Sequence, residues 1–155
     1  MLLPGGEVFG ATAIPQYNQI AGTNFPVVSV GYAVSDIGYW DFPARGYTSG
    51  DITVTVYWYA AATTGNVKWE SAIGAITIGT DTGSIEAKAF ATATSTQTAT
   101  NSNAKAGSTT TITITGASLD SVAANDFVEF YLKRIAATSE MAGDALFLFA
   151  VVSWT

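Results

Sequence analysis

The chain of 155 residues contains no histidine and no cysteine. The first absence removes the base of a Ser-His or Cys-His nucleophile, and the second removes thiol catalysis, zinc-thiolate sites and disulfides. Charge is also scarce. Asp, Glu, Lys and Arg make up 12% of the residues, about half the roughly 25% usual in soluble domains, while the apolar share of 48% is ordinary. Thr, Ser, Ala and Gly stand where Lys and Glu commonly would, and mixed surface charge is what normally opposes association. An oligomer is therefore expected. No stretch approaches the ~18 consecutive apolar residues of a membrane span, so no membrane partner is expected. The opening "MLLPGGEVFG" has neither the basic start nor the apolar run of a secretion signal.

The formal net charge is −6, and the only adjacent basic pair is Lys133 and Arg134. Nucleic acid as a partner is excluded on this ground, since neutralising phosphates needs a basic patch. No G-x-S-x-G elbow and no phosphate loop with its lysine occurs. Two carboxylates could in principle perform glycoside hydrolysis, and Asp36 and Asp41 flank the aromatic "IGYW". Asp at a strand end beside a turn is the commoner arrangement, because its side chain bonds the local backbone. Calcium needs six or more oxygens along one loop, and neither "GTDTGS" nor "SLDSVAAND" supplies them in that pattern. The sequence thus predicts no enzyme, no cofactor, no metal site and no catalytic residue.

What is present is alternation. In "DITVTVYWYA", Ile52, Val54, Val56, Trp58 and Ala60 point one way, while Thr53, Thr55, Tyr57 and Tyr59 point the other. Similar segments recur between turn signals: "VVSVGYA", "DIGYWDFP", a longer and bulged "VKWESAIGAITI", "SIEAKAFATA", "TTTITITGA", "DFVEFYLKRIA" and a central "ALFLFAVVSWT". Residues 94–100 suit a solvent-facing or edge strand before a loop to Ser108. Only single helical turns are predicted, in "SLDSVAAND" and "TSEMAGDA". Eight or nine strands without helices in one chain of this length predict an all-β antiparallel sandwich, a jelly roll, over residues 27–155.

Residues 1–26 read as an extended N-terminal arm with Pro4, Pro15 and Pro26 and no sustained period. Leu2, Leu3, Val8, Phe9, Ile14, Tyr17 and Ile20 are too apolar for a solvated tail. They are predicted to lie on a protein surface, the domain's own or a neighbour's. Trp58 and Trp154 fall on apolar faces and are predicted core. Tyr57 and Tyr59, on the threonine face, are predicted at a protein contact, where tyrosine is enriched. A platform of tryptophans and tyrosines for stacking on sugar is the competing reading.

The combination "GDITVTVYW", then "GNVKW", then "VEFYLKRIA" and "MAGDAL" resembles a jelly-roll module of structural proteins of tailed bacteriophages. The likeness spans residues 40–154 and carries no catalytic signature. Within that group, a short chain with an apolar arm is most similar to the capsid decoration proteins of siphoviruses infecting thermophilic bacteria. That resemblance implies a homotrimer on the outer surface of the virion. It would bind the major capsid protein of the expanded shell and reach across neighbours with its arm. The same module in longer tail proteins implies the alternative, a tail-tip or fibre module that recognises the host surface.

Overall fold

The computed structural model describes the backbone of residues 2–3 and 16–20 and the chain from 27 to 154. Among the described residues ten strands succeed one another: β1 (Leu2–Leu3), β2 (Gln16–Ile20), β3 (Val27–Tyr32), β4 (Ile37–Pro43), β5 (Ile52–Tyr59), β6 (Asn66–Ile76), β7 (Thr94–Ala99), β8 (Gly107–Ile114), β9 (Phe127–Ile135) and β10 (Ala145–Trp154). They form two antiparallel sheets packed face to face. One is six-stranded, ordered β2-β3-β10-β5-β8 with β1 alongside β10, and the other is ordered β4-β9-β6-β7. From Val27 onward eight strands build a jelly-roll sandwich, as the alternating pattern predicts.

The alternation in β5 becomes burial: Ile52, Val54, Val56 and Trp58 are buried between the sheets while Thr53, Thr55 and Tyr57 face out. β10 lies inside the larger sheet between β3 and β5, which accounts for its apolar residues on both faces. Trp58, Trp69, Tyr32, Phe130 and Phe147 fill the interior, with Tyr32 edge-on to Trp69 at 5.2 Å and Trp40 stacked on Phe130 at 5.1 Å. Aromatic pairs of this geometry contribute about 0.5–1.5 kcal/mol beyond their buried area. The sheets are also joined by polar contacts at a corner. Trp58 Nε1 donates to Thr110 Oγ1 at 3.0 Å, and that hydroxyl donates to Thr98 Oγ1 across the sandwich at 2.9 Å.

Three local expectations are corrected. Residues 84–93 form no strand: Ile85–Ala87 is a 3-10 turn within an exposed excursion, because alternating Ala and charged residues offer little apolar area to bury. The bulge predicted in "VKWESAIGAITI" is absent, and β6 pairs with β9 in unbroken register from Lys68 to Ile76. The irregularity falls in β10 between Phe147 and Phe149, where it shifts the apolar run so that Ala150 and Val152 still point inward. In "SLDSVAAND" the helical turn is the 3-10 segment Gly116–Leu119, and its N-terminus carries no side-chain cap. Within the arm, Leu2–Leu3 pairs with β10 and Gln16–Ile20 with β3, so these parts lie on the domain's own larger sheet. Val8, Phe9 and Ile14 are outside the described residues.

One end of the sandwich is closed by a buried cation. Arg134, 1% exposed, points inward from β9 and donates from Nη1 to the carbonyls of Tyr32 (2.6 Å) and Gly143 (2.8 Å). Its Nη2 pairs with Glu140 Oε1 at 2.5 Å, and Glu140 Oε2 accepts from Ala137 N at 2.6 Å. The guanidinium therefore ties β9 of one sheet to the end of β3 in the other and to the β9–β10 connection. That connection also rests against Gly65, just before β6, whose φ is +93° and where an added Cβ would stand 2.6 Å from Met141 Cα. Removing the cation leaves two carbonyls and a carboxylate without their donor. Arg134→Ala is expected to destabilise the fold by about 3–5 kcal/mol, read as a lower urea midpoint with unchanged slope.

Candidate functional site

Sandwich pleating leaves each sheet one outer face, and the two faces differ in kind. None of the strands of the six-stranded sheet contains Asp, Glu, Lys or Arg. Cross-strand register arranges its outer side chains in rows: Ser153, Thr53 and Thr113; Val151, Thr55 and Thr111; Phe149, Tyr57 and Thr109. Tyr57 and Phe149 stack at 4.4 Å with their planes 21° apart. Both are half-buried, and the threonines of β8 beside them are exposed. Tyr57 thus lies on the outer, threonine face of β5. Tyr59 does not face solvent: it is 5% exposed, with its hydroxyl 2.9 Å from Ser29 Oγ on β3. Of Leu2, Leu3, Tyr17 and Ile20 the structure describes only the backbone, in β1 and β2.

The four-stranded sheet is the charged one. Across its outer face Lys133 sits opposite Glu70, Asp41 opposite Glu129, and Tyr39 opposite Tyr131. Phe90, from the 77–93 excursion, lies over this face with its ring edge-on to Tyr131 at 5.1 Å and tilted against Tyr39 at 6.1 Å. Tyr131 donates its hydroxyl to Glu70 Oε1 at 3.1 Å. The excursion is anchored by Lys88 to Asp120 at 2.8 Å, and it leaves Ile78 and Ile85 exposed at 65% and 56%. The hollow between it and the sheet, lined by Gly74, Phe90 and Phe127, encloses about 20 Å³. That is room for one water and not for a sugar ring or cofactor.

The four tryptophans do not form a stacking platform. Trp40, Trp58 and Trp69 are buried in the core, and Trp154 packs against it beside Phe42. Nor are the two flanking aspartates a catalytic pair. Asp36 accepts from Ala33 N at 2.9 Å within the β3–β4 turn, and Asp41 faces outward on β4. Among the described residues no group of three or more His, Cys, Asp or Glu is placed to hold a metal ion. No helix among them is long and apolar enough to cross a membrane. The features that sequence reasoning missed are the aromatic and carboxylate cluster of Tyr39, Phe90 and Tyr131 and the inward turn of Arg134. The even spacing of Val128, Phe130, Leu132 and Arg134 contained the second signal.

Burial first, and then the Glu70 carboxylate, push the Tyr131 phenol well above its usual 10.0. A proton held more tightly in the folded chain than in the unfolded one gives stability that falls as pH rises past 10. In a tyrosinate absorbance titration Tyr131 is expected to ionise well above 10. Glu70→Gln is expected to bring it partway back, since burial remains. Ionisation of Tyr131 near 10 would contradict the assignment.

No protein-family model matches the chain, and no curated protein matches it. Among solved structures it is similar to the carbohydrate-binding module CBM6cm-2 from Cellvibrio mixtus lichenase 5A in complex with cellotriose. The TM-score is 0.58 with 10% identity, over 100% of this chain and 97% of that one. At that identity the likeness shows a shared β-sandwich jelly roll, which here combines a charge-free outer face with a charged aromatic one.

Proposed function

We propose that this chain is a non-enzymatic virion structural protein of a tailed phage. In this reading it is a capsid decoration protein that binds the expanded shell as a trimer and stabilises it from the outside. The observation that carries the reading is the charge-free outer face of the six-stranded sheet, with Tyr57 on Phe149 at its centre. Burying such a face against protein contributes about 25 cal/mol per Å² of apolar area and desolvates no ion. A protein that binds the assembled shell and not its dissociated subunits stabilises the shell by mass action. No bond is made or broken in this role.

The phage-like sequence elements also support the reading through their packing. Gly65 of "GNVKW" admits the backbone of Met141 of "MAGDAL", and Arg134 of "VEFYLKRIA" bonds Gly143 of the same turn. These separated elements form one clasp, so the resemblance covers a coherent part of the fold. The major capsid protein is the expected partner, with the arm of residues 1–26, tied to the larger sheet through Leu2–Leu3 and Gln16–Ile20, as its docking segment.

Purified expanded shells incubated with the protein are expected to retain it on sedimentation and to melt at higher temperature. Deletion of residues 1–23 is expected to leave a folded domain that no longer sediments with shells. Undiminished binding by the truncated chain would remove the arm from the proposal.

A second reading, a tail-tip or fibre module that recognises host-surface glycan, is favoured by one specific feature. Tyr39, Phe90 and Tyr131 lie among Glu70, Asp41, Glu129 and Lys133 on the outer face of the smaller sheet. Aromatic rings flanked by carboxylates suit sugar hydroxyls, and the similar module is described with cellotriose. Glycan-array binding that Tyr39→Ala abolishes would favour this reading, as would immunogold label at the tail tip and not over the head.

A further inference from the structure

We infer that the interior of the sandwich binds one water molecule, seated between the indole of Trp69 and the guanidinium of Arg134, and that this water ties the core side chain of β6 into the Arg134 clasp. The site lies between the sheets, away from both outer faces, so it is independent of the capsid and glycan readings.

Trp69 is 0% exposed and Arg134 1%, yet among the described residues neither Trp69 Nε1 nor Arg134 Nε has a hydrogen-bond partner. The two residues stand directly opposite each other in the β6–β9 register, and both side chains point inward. Opposed side chains on one face of an antiparallel pair have their Cβ atoms about 4.5–5.5 Å apart. The two unmet N–H groups therefore belong to neighbouring side chains and present one donor site. Nearly all buried donors of folded proteins are paired, with protein or with ordered water, because an N–H taken out of solvent without an acceptor keeps the full penalty of its desolvation.

The planar guanidinium decides what the site accepts. Nε–H and one Nη2–H project from the same edge of that plane, the fork that can grip both oxygens of a carboxylate. Here Nη2 donates to Glu140 Oε1, while Glu140 Oε2 accepts from Ala137 N. The carboxylate is thus held in a one-pronged grip, with Nε left beside it. A species on Nε has Trp69 Nε1–H as a second donor and Glu140 Oε1 as a neighbouring acceptor. Water matches that set: it accepts two hydrogen bonds and donates one to Oε1, and three partners are typical of a buried water. Chloride would accept from the same two donors, but it would place a second anion beside Glu140 for a single guanidinium charge. The Glu140 side chain is 29% exposed, which gives the water a route to solvent past the β9–β10 connection.

Water–protein NOE and ROE spectra of the full wild-type chain test the site without any substitution. The Trp69 Nε1 and Arg134 Nε protons are both expected to give cross-peaks at the water frequency. Their signs are expected to be opposite in the two experiments, as for a water that tumbles with the protein. Thr96 stands opposite Trp69 on β7, and its hydroxyl could relay such a peak by proton exchange. Both cross-peaks are therefore expected to persist in Thr96→Val. Exchange of chloride for bromide in the buffer is expected to leave the two proton shifts unchanged. Absence of either cross-peak in the wild type, or its loss in Thr96→Val, would overturn the bound water. So would a shift of both protons in bromide, which would assign the site to a halide.

Discussion

The clasp around Arg134 is the constraint on which the arrangement of the sandwich depends. A guanidinium at 1% exposure persists in an apolar interior only if its charge is matched, and here two carbonyls and a carboxylate converge on Nη1 and Nη2, while Nε has no hydrogen-bond partner among the described residues. Those acceptors come from the end of β3 and from the β9–β10 connection, so satisfying one side chain holds the two sheets and the last loop together. Asn66 extends the same junction, donating from Nδ2 to Thr138 O at 2.6 Å while its carbonyl accepts from Met141 N at 3.0 Å. With that end closed, β10 enters between β3 and β5 in the register that stacks Phe149 on Tyr57.

From that register follows the division of the molecule into unlike surfaces. The larger sheet turns Thr, Ser, Tyr57, Phe149 and Val151 outward, with no charged residue among its strands. The smaller sheet gathers Asp41, Lys68, Glu70, Glu129 and Lys133 on its outer side. A chain with only 12% charged residues concentrates much of its charge on one side and leaves the other neutral. The excursion over residues 77–93 fits the same division, since it lies on the charged side and carries Lys88, Asp81 and Glu86.

Much of the fold was legible because strands have a period of two and this sequence keeps it. Ile52 to Trp58, Ile112 to Ile114 and Val128 to Leu132 all turned inward as their alternation requires. Legibility failed where alternation had little apolar content, as in "SIEAKAFATA", and where a residue with a polar handle was drawn into the interior. Tyr59 continues the outward set of β5 by parity, yet its hydroxyl finds Ser29, thirty residues earlier in the chain, and the ring is covered. Trp40 and Trp69 were equally compatible with an exposed platform until the facing sheet supplied Phe130, Tyr32 and Phe147.

Composition and period alone determined that this protein is an all-β sandwich poor in charge, without the histidine or cysteine on which many catalytic sites depend. These properties are local or additive, so reading residues in order recovers them. Only the tertiary structure decided which sheet receives the charged strands, which aromatic rings meet, and that Arg134 faces inward to join the layers. Each of these depends on strand order and register between segments far apart in the chain. Pairing β10 with β5 across some ninety residues is a choice made by packing, and no local pattern encodes it.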